Sequence, residues 1–181
     1  VLLELLIDPA CSIVFEAEPE ADDIMQRPPR ASTASPFAGH NIAVAIIQGL
    51  GFAGLLLLGY GALLGLGVDV VQSRTATFFA LVIGLFALIL ANRDLAHPLV
   101  ASLRIRNRWM PRMFAGIVLM LVLAISVPYL RSIMGLAVPT RAAWAGIGGM
   151  LVLVFAWLEG LRFALRLSAR LVKPPFAREI P

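Results

Sequence analysis

Five apolar stretches alternate with polar ones along the chain. Their approximate bounds are 1–17, 41–68, 75–91, 113–130 and 142–163. A membrane-spanning helix needs roughly 20 predominantly apolar residues, so each stretch is of the right order of length. Only helices and closed barrels satisfy their backbone groups inside a bilayer. The pattern therefore predicts an all-α fold: one membrane domain, 1–181, that is a polytopic membrane helix bundle of about five transmembrane helices.

The polar stretches carry most of the basic charge. Of the fifteen Lys and Arg residues, twelve precede the second span, separate the third span from the fourth, or lie near or after the end of the last. Basic residues collect in cytoplasmic loops, which predicts that loops 18–40 and 92–112 and the tail 164–181 are cytoplasmic. We expect an integral, multi-pass protein of the bacterial inner membrane with a cytoplasmic C-terminus.

Composition supports a membrane protein and narrows its partners. The chain is 60% hydrophobic and 14% charged, whereas soluble domains are about 25% charged. The formal net charge of +4 follows from basic membrane-flanking loops, so we expect the lipid bilayer as a partner and no nucleic acid. The one cysteine, Cys11, excludes an internal disulfide and a Cys-x-x-Cys metal site.

Two carboxylates, Glu4 and Asp8, stand one helical turn apart in the first apolar stretch. Ionisable groups at membrane depth are costly and usually mark an ion path inside a bundle. Pro9 has no N–H, so the carbonyl of Leu5 loses its helical partner. Such hard oxygen atoms suit Ca²⁺, Mg²⁺ or Mn²⁺, and Ser12 shares the face of Asp8 as a lining or packing residue. In the alternative reading, both carboxylates lie at the water interface and Pro9 is only a kink.

The second span is rich in glycine, and Gly61 and Gly65 form a GxxxG pair. Small residues at this spacing let the backbone of another helix approach closely. We therefore expect helix packing at this pair rather than a ligand role.

The last span has features of a helix that ends in both membrane interfaces. Trp144 and Trp157 stand near its two ends, where amphipathic aromatic rings are common. Glu159 precedes Arg162 by three residues, a spacing that places both side chains on one helix face. We predict an interfacial ion pair between them rather than a proton relay.

Residues 4–30 resemble the sixth transmembrane helix and the following loop of type II P-type cation-transporting ATPases. The most specific part is the segment Asp23-Ile24-Met25-Gln26-Arg27-Pro28-Pro29-Arg30. A later segment, Arg106-Asn107-Arg108-Trp109-Met110, resembles the loop before the ninth helix of the family. The resemblance extends over essentially the whole chain and implies helices six to ten of a ten-helix, calcium-pump-like transporter.

The resemblance also implies roles for individual residues. Asp8 matches the aspartate that binds the transported cation, and Glu4 falls where the calcium pumps place an asparagine ligand. The loop that couples cytoplasmic domains to the membrane helices corresponds here to Asp23, Met25, Arg27, Pro28, Pro29 and Arg30. The implied function is the C-terminal membrane part of an ATP-driven pump for a cation, divalent and calcium-like.

The sequence contains no Asp-Lys-Thr-Gly-Thr phosphorylation motif and no nucleotide-binding domain. ATP and magnesium would therefore act only through other domains, and the cofactor expected in this chain is the transported metal cation. Its expected partners are the remaining helices and cytoplasmic domains of the pump. The alternative is a free-standing five-helix scaffold, accessory protein or pump remnant without transport of its own.

Overall fold

A computed structural model of the chain describes residues 12, 16, 39–93 and 109–171. Five helices lie in these residues: α1 Gly39–Gly65, α2 Val70–Arg93, α3 Trp109–Ser126, α4 Pro128–Met134 and α5 Arg141–Leu171. Four of them, all except α4, are long and apolar enough to cross a membrane. The helical bundle class is thus confirmed, while the span predicted for 1–17 lies outside the described residues, apart from helical Ser12 and Glu16.

The turn between α1 and α2 is shorter than the sequence indicated. Gly67 has a φ of +78°, which closes α1 because glycine adopts the left-handed conformation without strain. The Gly67 N–H donates to the Leu64 carbonyl at 3.0 Å and the Val68 N–H to that of Leu63 at 3.0 Å. Asp69 then caps α2 by accepting a bond from the Val71 N–H at 2.8 Å. The expected span 41–68 therefore ends as a helix at Gly65, and α2 begins five residues before the expected Thr75.

Pro128 divides the fourth expected span, 113–130, into two helices. Val127 is extended (φ −85°, ψ 113°) because the proline ring disfavours a helical conformation in the preceding residue. Pro128 begins α4, where its missing N–H costs nothing. A left-handed Gly135 ends α4, and the Leu136 N–H donates to the Arg131 carbonyl at 2.9 Å. The transmembrane helix α3 accordingly stops at Ser126.

Helix α2 lies at the centre of the described bundle. Of its most apolar stretch, 56% is buried, against 17% for α1. The ring of its Phe79 meets Trp144 of α5 edge-on, with ring centroids 6.1 Å apart. Near its other end, Phe86 packs on Phe114 of α3 at 5.1 Å. These contacts make α2 parallel to α5 and antiparallel to α3.

Helices α1 and α5 approach each other at glycines. A Cβ atom added to Gly51 would collide with the indole of Trp157, and one added to Gly59 would collide with Met150. From the other side, a Cβ on Gly146 would stand 2.7 Å from Leu63. The GxxxG pair expected to pack, Gly61 and Gly65, has open space around it in the described structure. Other glycines of α1 therefore make the close helix contact here.

Candidate functional site

The predicted cation site lies outside the part of the chain that the structure describes. Glu4, Leu5, Asp8 and Pro9 belong to that undescribed part, and Ser12 is helical and exposed. The predicted coupling residues also fall outside it: Asp23, Met25, Arg27, Pro28, Pro29 and Arg30. The roles of all these residues stay predictions.

The described helices contain no second carboxylate site. The acidic residues that the structure describes are Glu16, Asp69 and Glu159, and no group of three metal-ligating residues occurs in the described ranges. Asp69 caps α2, and a Glu159 oxygen lies 3.8 Å from the Arg162 guanidinium. This contact confirms the ion pair predicted from the sequence. The carboxylates of the described bundle thus have structural roles.

At one end of the bundle, three polar side chains of α2 form hydrogen bonds to the loop 135–140: Gln72, Arg74 and Thr75. We call this polar cluster the loop clasp. The Gln72 side-chain amide donates to the Val138 carbonyl and accepts from the Thr140 N–H, both at 2.9 Å. The Arg74 guanidinium donates to the Gly135 carbonyl. These bonds tie the start of α2 to the loop that leads into α5.

Thr75 completes the loop clasp from a fully buried position. Its hydroxyl oxygen accepts the Ala137 N–H at 3.0 Å while the hydroxyl donates to the Val71 carbonyl at 2.8 Å. The side chain therefore satisfies a loop N–H that would otherwise lose its partner away from water. Sequence reasoning missed the loop clasp; the available signal was a set of polar side chains in the first turns of an apolar helix.

Five further polar or amphipathic side chains lie along α1 and α5: Gln48 of α1, and Trp157, Glu159, Arg162 and Arg166 of α5. Gln48 is 3% exposed and Arg162 is 0% exposed, although both side chains are polar. The side-chain nitrogen of Gln48 and the indole nitrogen of Trp157 are buried and have no hydrogen-bond partner among the residues that the structure describes. Sequence reasoning did not single out Gln48, a lone amide within an apolar stretch.

The comparison with protein families agrees with this architecture and with the predicted resemblance. The family model described as "Cation transporting ATPase, C-terminus" matches residues 1–164. The chain therefore belongs to this family and is the C-terminal membrane region of a cation-transporting P-type ATPase. Comparison with curated proteins gives no match.

Proposed function

We propose that the chain supplies part of the transmembrane cation-binding site of an ATP-driven pump and that the ion is divalent, with calcium as the first candidate. The observation that carries this proposal is the family match, which covers both Glu4 and Asp8. The match is accompanied by four helices that are long and apolar enough to cross a membrane. Transport of a cation by the family is the established part, and the identity of the ion is the proposal.

The ligands that we assign are Glu4, Asp8 and the carbonyl of Leu5. The acidic residues after position 23 are Asp69, Asp94, Glu159 and Glu179. Three of these four lie outside the expected spans, and Glu159, which lies within the last one, is paired with Arg162. We therefore assign Glu4 and Asp8 as the carboxylates of the cation site. Two carboxylates and a carbonyl freed by Pro9 favour a hard cation such as Ca²⁺.

The described helices would act as the frame that holds the first span and its ligands. The core of α2 packs on α1 and α5, and the loop clasp fixes α2 to the loop before α5. When rigid helices can pack in two alternative arrangements, a small displacement at one site can switch the bundle between them and so alternate the access to the cation site. In this proposal the cation site moves relative to the frame when a phosphorylation domain elsewhere in the pump changes state.

The open face of α1 is the surface that we assign to the remaining pump helices. Gly54, Gly61 and Gly65 share this face, and none of the described residues comes within 4 Å of a Cβ added to them. Leu57 and Leu58 beside them are 70% and 72% exposed. Small residues flanked by leucine allow close helix approach in a bilayer. The GxxxG pair predicted to pack would then serve this interface.

The distribution of basic residues supports a cytoplasmic position for the coupling loop and the C-terminus. At the loop-clasp end, the bundle carries Arg74, Arg131 and Arg141. The sequence around the other end contributes twelve of the fifteen basic residues. By the positive-inside rule the richer end is cytoplasmic. We propose a bacterial inner membrane as the location, and the same distribution supports a coupling loop, 23–30, that faces the cytoplasmic domains.

The ligand assignment is tested in the intact protein by cation-stimulated ATPase activity of Asp8→Asn and Glu4→Gln. Each change removes one negative charge from the site, so the apparent affinity for the transported cation should fall at least tenfold. The matched control is Asp69→Asn, because Asn also caps a helix and this position lies in the turn before α2. Titrating Ca²⁺, Mn²⁺ and Mg²⁺ in parallel identifies the ion. Unchanged affinity in Asp8→Asn would contradict the assignment.

A further inference from the structure

The short helix α4 connects two membrane-spanning helices on one side of the bundle. It begins at Pro128, two positions after α3 ends at Ser126. The Gly135 carbonyl, just past the end of α4, accepts a hydrogen bond from the Arg74 guanidinium near the start of α2. Because α2 and α3 are antiparallel, the end of α3 and the start of α2 lie on the same side of the membrane. Both ends of α4 therefore lie at one membrane surface, and the helix runs along it.

The length of α3 gives the level of α4 in the bilayer. Helix α3 has 18 residues, and a helix of that length is about 27 Å long. The hydrocarbon core of a bilayer is roughly 30 Å thick. The first residue of α3, Trp109, is exposed, and the Arg112 guanidinium lies over its ring, 5.2 Å from the centroid. Aromatic and basic residues of this kind are typical of a membrane–water interface. One end of α3 thus lies at one interface, and α4 lies at the other.

The side chains of α4 divide into an apolar and a polar face. Tyr129 and Ile133 are four positions apart, so they share a face, and they are 74% and 67% exposed. Leu130 borders them and is also exposed. We call these three residues the apolar face of α4. Arg131 and Ser132 lie on the other side of the helix, where Arg131 donates to a carbonyl near the end of α3 at 3.5 Å.

The part of the chain that the structure describes leaves the apolar face of α4 uncovered. None of the seven residues of α4 is buried by the described residues. Helices shorter than about 12–15 residues are marginal in water and depend on the packing of an apolar face. On α3, exposed apolar side chains continue close to its end, at Leu119, Val122 and Leu123. The exposed apolar surface of a membrane-spanning helix therefore continues along the chain into α4.

We propose that α4 is an interfacial helix whose apolar face contacts the lipid of the membrane leaflet at the loop-clasp end. Amphipathic helices of this kind bury their apolar face about 5–10 Å into the boundary between headgroups and acyl chains. Tyr129 suits this level, because its ring is apolar and its hydroxyl reaches water or headgroups. Since the end of α4 is bonded to α2, lipid contact at α4 holds the loop clasp at the membrane surface. The proposal depends neither on the transported ion nor on which end of the bundle is cytoplasmic.

The test is photo-cross-linking of the full-length protein in vesicles of phosphatidylethanolamine and phosphatidylglycerol. The amino acid p-benzoylphenylalanine, which inserts into neighbouring C–H bonds on irradiation, is placed in turn at Tyr129 and at Ile133. Mass spectrometry of the peptides should find phospholipid adducts at both positions. Leu119, exposed on α3, is the control that faces lipid, and Ser132 on the polar face of α4 should give much less adduct.

The other occupants of the apolar face give different products. A cross-link from both positions to another segment of the pump would show that protein covers the face, and this would overturn the proposal. If Leu119 gives a lipid adduct while Tyr129 and Ile133 give no cross-link, the face is open to water and the proposal is wrong. Equal lipid adducts at Ser132 and Ile133 would contradict the assigned orientation of α4.

A pair of variants measures what the lipid contact contributes to α4. Ile133→Asp places a charge on the apolar face, and Ser132→Asp places the same charge on the polar face. In vesicles, the backbone amides of 129–134 should exchange hydrogen about fivefold faster in Ile133→Asp, because aspartate cannot keep the burial that isoleucine gains in lipid. Exchange in Ser132→Asp should match that of the wild type. Equal exchange rates in the two variants would contradict the interfacial position.

Discussion

The indole of Trp157 lies directly on the backbone of Gly51, and this contact sets the distance between α1 and α5 near the middle of both helices. The ring can lie so close to the α1 backbone only because residue 51 is glycine, since even one added methyl group would overlap the ring. The sequence predicted Trp157 as an interfacial aromatic residue and did not indicate its contact with α1. The contact therefore predicts that Gly51 tolerates substitution less well than those glycines of α1 that have open space around them in the described structure.

Gly51→Ala should destabilise the protein. The new methyl group would overlap the Trp157 ring, and overpacking of this kind costs about 1–3 kcal/mol. Gly49→Ala is the matched control, since a Cβ at Gly49 meets no described atom within 4 Å and alanine is the better helix former. Thermal unfolding in detergent should give a lower Tm for Gly51→Ala and an unchanged or higher Tm for Gly49→Ala. Equal Tm values for the two variants would contradict the close contact.

The loop clasp is tested by a pair of isosteric substitutions on α2. Thr75→Val removes the acceptor of the Ala137 N–H, and an unpaired buried N–H costs about 1–3 kcal/mol. Thr77→Val removes only a bond from the Thr77 hydroxyl to the Ser73 carbonyl in the same helix. That carbonyl still accepts a backbone hydrogen bond of the helix, so little stability is lost. The Tm should fall in the first variant and stay within a degree or two in the second. If both variants unfold like wild type, Thr75 does not hold the loop.

The open face of α1 is tested by adding bulk to it. Gly61→Leu should leave the described helix contacts intact, because no described atom lies near an added Cβ. The same change should block close approach of another pump helix and reduce ATPase activity of the intact protein. Gly148→Leu, on an open face of α5, is the control for added bulk toward lipid. Normal activity of Gly61→Leu at normal expression would contradict the assigned interface.

The fold was largely predictable because apolar runs in a membrane protein report helices directly. The helix ends were less predictable. Gly67 ends α1 and Asp69 caps the start of α2 within a stretch whose hydropathy indicated one longer span. Pro128 separates α4 from α3 through local backbone geometry. The sequence pattern indicated only the end of a span at this position. Hydropathy cannot report such features, since they depend on one residue at a time.

The polar clusters were harder to predict for a different reason. The Glu159–Arg162 pair is local and follows from helix spacing, whereas Thr75 reaches Ala137 across 62 positions of the chain. The burial of Gln48 could not be predicted, because its place beside α5 depends on the antiparallel register of the two helices. The predicted cation ligands Glu4 and Asp8 were identified from residue chemistry and family resemblance, and they lie outside the described residues.

The central claim is that this chain works as the membrane part of a larger ATP-driven pump. The most direct test is the mass of the native gene product, measured by immunoblot with an antibody against the segment Arg170–Pro181. ATP-driven transport needs phosphorylation and nucleotide-binding domains that this sequence does not contain. We propose that they belong to the same gene product, so we expect a band several times larger than the 19.5 kDa of this chain. A native product at 19.5 kDa would contradict the claim and favour the free-standing scaffold.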